Sequence, residues 1–197
     1  MSIVLVYVSI KNMDIMMEDK PLIQKRRKGY FLIALVAILM IVVMSYSFYS
    51  SSQMINKYAP LVDATMEIKL EATTAHLWFE EIISGDRYEN LDDVIKHIDL
   101  ALWYANAMLE GGENQEGHFI RLTDNILREE IVEAIDGLNE FKSITFKRYQ
   151  AKESSGVGSE IDQIYDALFD VFIDQIDHVE TLLQQKIKQD YKQYQII

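Results

Sequence analysis

Cysteine is absent from the 197 residues. That excludes a disulfide framework, a thiolate metal site, a cysteine nucleophile and a C-x-x-C-H haem attachment, so the fold must rest on non-covalent packing. Proline is nearly absent, with two residues, and glycine contributes only eight, so long stretches run without a helix breaker. No Gly-rich phosphate loop occurs, and the four His have no spacing to Ser or acids that would set up a triad. Glu80-Glu81 and Asp92-Asp93 are paired acids, ordinary on a solvated helix. The reading is a non-enzyme for which no cofactor is expected. Basic residues are scarce beyond the N-terminal quarter. Residues 50–197 carry thirteen Lys/Arg against twenty-eight Asp/Glu, whereas residues 1–49 carry six against three. Such an acidic surface repels phosphates, which argues against nucleic acid as a partner, and it favours solubility.

What is present is one long apolar run. The nineteen residues from Tyr30 to Phe48 hold no charge, no Pro and no Gly. As an α-helix they span ~28 Å, close to the roughly 30 Å hydrocarbon core of a bilayer. Lys25-Arg26-Arg27-Lys28 precedes the run, and Tyr46, Phe48 and Tyr49 close it like an interfacial belt. A cleaved signal peptide has a shorter apolar core, and Ser45-Tyr46-Ser47 is a poor small-x-small cleavage site. A buried helix of a soluble protein does not carry so uniform an apolar surface behind four basic residues. The pattern predicts a loose cytoplasmic tail over 1–29, a transmembrane helix over 30–49 and an extracytoplasmic domain over 50–197. The chain is expected to cross the inner membrane once.

After the span the periodicity is helical. Tyr58, Val62, Thr65, Ile68, Ala72, Ala75, Phe79 and Ile82 recur at steps of three and four, a narrow seam of the bundle kind. Pro60 predicts a kink or break, and Ser84-Gly85-Asp86 a helix end. Asn90 is an N-cap for a second helix with its seam on Leu91, Val94, Ile95, Ile98, Ala101, Leu102, Ala105 and Met108, stopped by Gly111-Gly112. A third helix is predicted from about Gly117 to Tyr149, on Ile120, Leu127, Ile131, Ala134, Leu138, Phe141 and Thr145. A fourth opens on the capping-box-like Ser159-Glu160-Ile161-Asp162. It carries Ile161, Leu168, Gln175 and Leu182 at one heptad position and Tyr165, Phe172, Val179 and Lys186 at another, widened by Phe169, Ile176 and Leu183. The predicted fold class is all-α: an N-terminal transmembrane helix followed by an antiparallel up-down-up-down four-helix bundle.

This layout resembles the four-helix-bundle sensory module of bacterial chemoreceptors (methyl-accepting chemotaxis proteins) and sensor histidine kinases. The stretch from Glu71 to Asp86 is similar to a segment of some of these sensors, where an A-x-x-x-H-L-W-x-E-E run ends in S-G-D. The resemblance covers about residues 25–195 by architecture and about sixteen residues by motif. It implies a periplasmic sensory domain of a receptor for chemotaxis or two-component signal transduction, commonly a homodimer. No HAMP-like linker, methylation helix or kinase core occurs in these residues, so the expectation is a sensory half without its second membrane helix and output module. The alternative from the residues is a membrane-anchored structural or partner-binding bundle.

Several side chains are candidates for binding. His76 and Glu80 lie four apart on one helix face, and a hairpin near residue 87 places His97 at similar height. His76, Glu80 and His97 are therefore a candidate metal set, since His/carboxylate groups hold zinc-like ions. The plain alternative is that each His is satisfied by a neighbouring carboxylate. Arg121 and Arg128, seven apart on the predicted third helix, form a candidate carboxylate-binding stripe, with surface acids as their ordinary partners. A small-molecule ligand would draw on His76, Trp78, Glu80, Arg121 and Arg128, and a periplasmic protein is the other candidate partner. Leu100 and Trp103 share an outward face of the second helix and are candidate dimer contacts.

Overall fold

The computed structural model describes residues 29–85, 88–115 and 117–192, and the tail expected over 1–29 lies almost wholly outside them, as does Asp86. The chain is predominantly helical. Its elements are α1 (Ser2–Ser84), α2 (Leu91–Glu110), β1 (Gly112–Glu113), β2 (His118–Phe119), α3 (Asn125–Gln150) and α4 (Glu160–Gln195). The chain divides into two compact units, Met1–Ser52 and Gln53–Ile197.

Within the first unit, every described residue from Gly29 to Tyr49 is exposed. Its most apolar window has a mean hydropathy of 2.6, so α1 includes a segment long and apolar enough to cross a membrane. Side chains such as Leu35, Ile38, Ile41 and Val42 are half or more exposed, the surface that hydrocarbon rather than water would solvate.

The second unit is built on apolar seams. Tyr58, Thr65, Ile68, Ala72, Ala75 and Phe79 of α1 are buried as expected, joined by Leu61 and Ala64, while Val62 and Ile82 of the expected seam are half-buried. On α2 the buried set is Val94, Ile98, Ala101, Ala105 and Met108, with Tyr104, Ala107 and Leu109 added. Leu127, Ile131, Ala134, Leu138 and Phe141 are the inner face of α3, and Tyr165, Phe172, Ile176, Val179 and Leu183 that of α4. These residues form two apolar clusters, each drawing on all four helices. Polar contacts at the edges give the directions. Along α1 and α4, Tyr58 donates to Asp190, Lys69 bonds Asp177 (3.0 Å) and Glu180 (2.5 Å), and His76 meets Asp166. Partner numbers fall as α1 numbers rise, so these two segments run oppositely. The α3–α4 contacts Asp124–Lys186 and Glu133–Gln175 follow the same rule.

Helix ends follow local chemistry. Asn90 caps α2, its side chain accepting from the Asp93 N–H at 3.0 Å. Gly111, at φ 84°, ends that helix with its N–H on the Ala107 carbonyl. At α4 the Ser159 hydroxyl accepts from the Asp162 N–H at 3.3 Å, while the Asp162 carboxylate accepts from the Gly158 N–H at 2.6 Å, a near capping box.

Two expectations are corrected. The third helix does not begin at Gly117: β1 and β2 form a small antiparallel hairpin, Gly112 opposite Phe119 and Glu113 opposite His118. Asn114 and Gly117 close its turn through the Asn114 N–H to the Gly117 carbonyl (3.0 Å) and the Gly117 N–H to the Asn114 side chain (3.2 Å). The start of α3 is set instead by Asp124, whose carboxylate accepts from the N–H groups of Ile126 and Leu127. Ile120 therefore lies outside the helix and is exposed. Pro60 does not break α1, which runs through it. The carbonyl of Asn56, which loses its usual partner there, belongs to an exposed residue where water can replace the bond.

Gly137 stands inside α3, where a Cβ would meet Phe172 and Gln175 at an ordinary 3.6 Å. Gly137→Ala is expected to stabilise the protein by about 0.5–1 kcal/mol, because it narrows the unfolded ensemble without a clash. Urea unfolding of the full chain in detergent checks this, and a lower midpoint would mean α3 and α4 have no room for a methyl.

Candidate functional site

Among the described residues, Arg148, in the last turn of α3, is a fully buried guanidinium. A buried guanidinium is costly unless its donors are matched, and here they are. Both nitrogens of the fork engage Glu80 of α1, one at 3.2 Å, and Nη2 also engages Asp162 of α4. Nε donates to the Ser155 carbonyl at 3.3 Å, and the Ser155 hydroxyl returns a bond of 2.9 Å to the Arg148 carbonyl. The charged carbon lies 4.9 Å from the Tyr165 ring centre and 5.4 Å from that of Phe79. The Tyr165 hydroxyl is buried, and among the described residues it meets no partner in hydrogen-bond geometry; the Thr145 hydroxyl beside it donates to the Phe141 carbonyl. Burial, reinforced by the negative charge of Glu80, pushes the Tyr165 phenol well above its ordinary range and keeps it neutral.

His76 lies beside this cluster. Its ring stacks on Phe169 at 4.2 Å and on Tyr165 at 5.1 Å, and Nε2 is 3.2 Å from Asp166 Oδ1. His76, Glu80 and Asp166 thus present three donor atoms within 4.8 Å of one another. His97 does not join them. It bonds Glu71, the carboxylate pairing of the plain alternative, and Trp78 meets its ring edge-on at 4.5 Å. The structure therefore unites His76 and Glu80, adds Asp166 from α4, and puts His97 and Trp78 on the α1–α2 side.

The two arginines expected as one stripe are separated. Arg121 precedes α3 and is exposed. Arg128 binds the Leu109 and Leu122 carbonyls, the latter at 3.1 Å, and Glu110 at 3.2 Å. It fastens the end of α2 to the start of α3. Trp103 is half-buried within its own chain, edge-on to Tyr104 at 5.1 Å and to Phe119 at 5.7 Å, so it backs the hairpin, while Leu100 is 39% exposed.

Sequence reasoning passed over Arg148 because a basic residue in a last helical turn usually complements the dipole. The signal was positional. Phe141, Thr145 and Arg148 follow the seam at steps of four and three. Comparison with protein-family models, with curated proteins and with solved structures finds no match for the chain.

Arg148→Met is expected to destabilise the fold by about 3–5 kcal/mol, because Glu80 and Asp162 lose their counter-charge in a buried place. Adding Glu80→Gln and Asp162→Asn should recover part of the loss. Denaturant unfolding of single and triple variants checks it, and additive losses would mean the charges are not coupled. A second expectation concerns Asp190. Burial raises its carboxyl, but the Tyr58 hydroxyl, Lys186 and Lys57 outweigh that and hold it below the usual carboxylate range. A lowered folded value means stability is present above the unfolded value, about 3.9, and is lost as pH falls through the folded one. Tyr58→Phe should therefore cost more stability at pH 7 than at pH 2, and a loss of equal size at both pH values would sink this account.

Proposed function

We propose that the chain is the extracytoplasmic sensory part of a bacterial transmembrane receptor of the chemotaxis or two-component kind. Residues 30–49 cross the inner membrane, the basic N-terminal side is cytoplasmic, and residues 50–197 form an up-down-up-down antiparallel four-helix bundle outside. The observation that carries the reading is that one helix, α1, supplies both the apolar span and, through Glu80, one wall of the buried Arg148 cluster shared with α3 and α4. A signal that alters the α1–α4 relation acts on the same helix that bears the span, and a small helix shift is a known form of such signalling. A homodimer is the assembly in which such a shift would be read.

A second reading, a membrane-anchored bundle that docks a partner protein, is favoured by α1 itself. Met66, Leu70 and Leu77 are 56–57% exposed and share the face turned away from the core.

Two measurements test the proposal. An alkaline phosphatase reporter fused after residue 192 should be active in intact bacteria, and activity only from a cytoplasmic reporter would overturn the topology. Thermal unfolding of the full chain in detergent, across amino acids and organic acids, should show one compound class raising the midpoint. A ligand at a hundred times its dissociation constant stabilises by about 2.7 kcal/mol, a shift of several degrees for a chain of this size. A cooperative melt that no compound moves would favour the partner-docking reading.

A further inference from the structure

We propose that His76, Glu80 and Asp166 bind a divalent transition-metal ion that staples α1 to α4. The three donors come from two helices and lie within 4.8 Å of one another. His76 and Glu80 are one turn apart on α1, and Asp166 reaches across from α4. Two donors on a tetrahedral zinc ion, each about 2.0–2.1 Å from it, are about 3.3 Å apart. The His76 Nε2–Asp166 Oδ1 distance is 3.2 Å, so this edge of the polyhedron is already in place. Glu80 stays on Arg148 through both oxygens, and its ligating oxygen lies within 4.8 Å of the other two donor atoms.

The surroundings favour a dication. Around this point Glu80, Asp162 and Asp166 bring three negative charges, and the Arg148 guanidinium pairs with the first two. Counting these carboxylates against Arg148, two negative charges are left over, and a dication bound through the imidazole nitrogen cancels them. Arg148 bonds both oxygens of Glu80, which orients the carboxylate as an outer partner does for many metal ligands. Stacking on Phe169 fixes the His76 ring, so Nε2 is aimed before any ion arrives. The Asp166 side chain is 52% exposed, which gives the ion a route in and leaves a position for water. The nitrogen donor selects zinc-like ions over magnesium and calcium, which take oxygen donors.

This inference goes beyond the sensory reading and does not rest on it, since a stapled bundle that only docks a partner would bind the ion equally. The test uses the untagged full chain in detergent micelles, stripped with chelator and titrated calorimetrically with zinc chloride. The parent should take up one ion per chain, a hundredfold excess of magnesium should not displace it, and its melting midpoint should rise. Asp166→Asn and His76→Gln should each weaken binding tenfold or more, and His97→Gln should leave it within about twofold. Asp166 is exposed and does not contact Arg148, so its variant keeps the test valid if His76→Gln fails to fold. No uptake by the folded parent, unchanged affinity in Asp166→Asn, or an equal loss in His97→Gln overturns the site. A midpoint raised by an organic ligand without zinc uptake removes the site and leaves the sensory reading standing.

Discussion

One buried guanidinium constrains the rest of the second unit. Taking Arg148 out of water costs several kcal/mol, and only matched acceptors offset it. Those acceptors belong to different parts of the chain: Glu80 on α1, Asp162 at the start of α4, and the Ser155 carbonyl in the turn between α3 and α4. None can shift by an ångström without unpairing a charge. Apolar seams tolerate some sliding, because dispersion contacts have no direction, but a planar fork does not. Register among α1, α3 and α4 is thus fixed at one end by charge. Along the rest it is fixed by small residues such as Ala64, Ala72, Ala101 and Ala134, which are fully buried.

Those alanines also bear on where a ligand can sit. They let helices approach closely, and the interior keeps little free volume. The cleft lined by Tyr58, Leu61, Leu122 and Leu127 holds about 20 Å³, little more than one water requires. His76, Glu80 and Asp166, where polar side chains interrupt the seams, do not line that cleft.

Much of the fold was legible because its local rules agree with one another. Asn90, Gly111 and Ser159 mark helix ends by their own side chains or lack of one, and the structure uses each so. The α1 and α3 seams were legible from period alone. The hairpin was not, because Ile120 stands seven before Leu127 and imitates a helical step; the competing signal was Asp124, an N-cap four residues later. At the site, His76 and Glu80 were found together because an i,i+4 pair is a property of one helix. Asp166 was not, because its approach depends on how α4 passes α1, which no local pattern encodes. His97 was assigned by height alone, and Glu71, nearer on the facing helix, takes it.

The two tryptophans occupy informative places. Trp78 meets the His97 ring edge-on at 4.5 Å, between α1 and α2, and Trp103 rests against Phe119 of the hairpin. Trp78 emission therefore reports the packing of α1 on α2 at the level of His97. Trp103 emission reports the seating of the hairpin on α2. The chain thus carries two native indole fluorophores at different levels of the same unit, and single Trp→Phe variants would let each be read alone without an added dye.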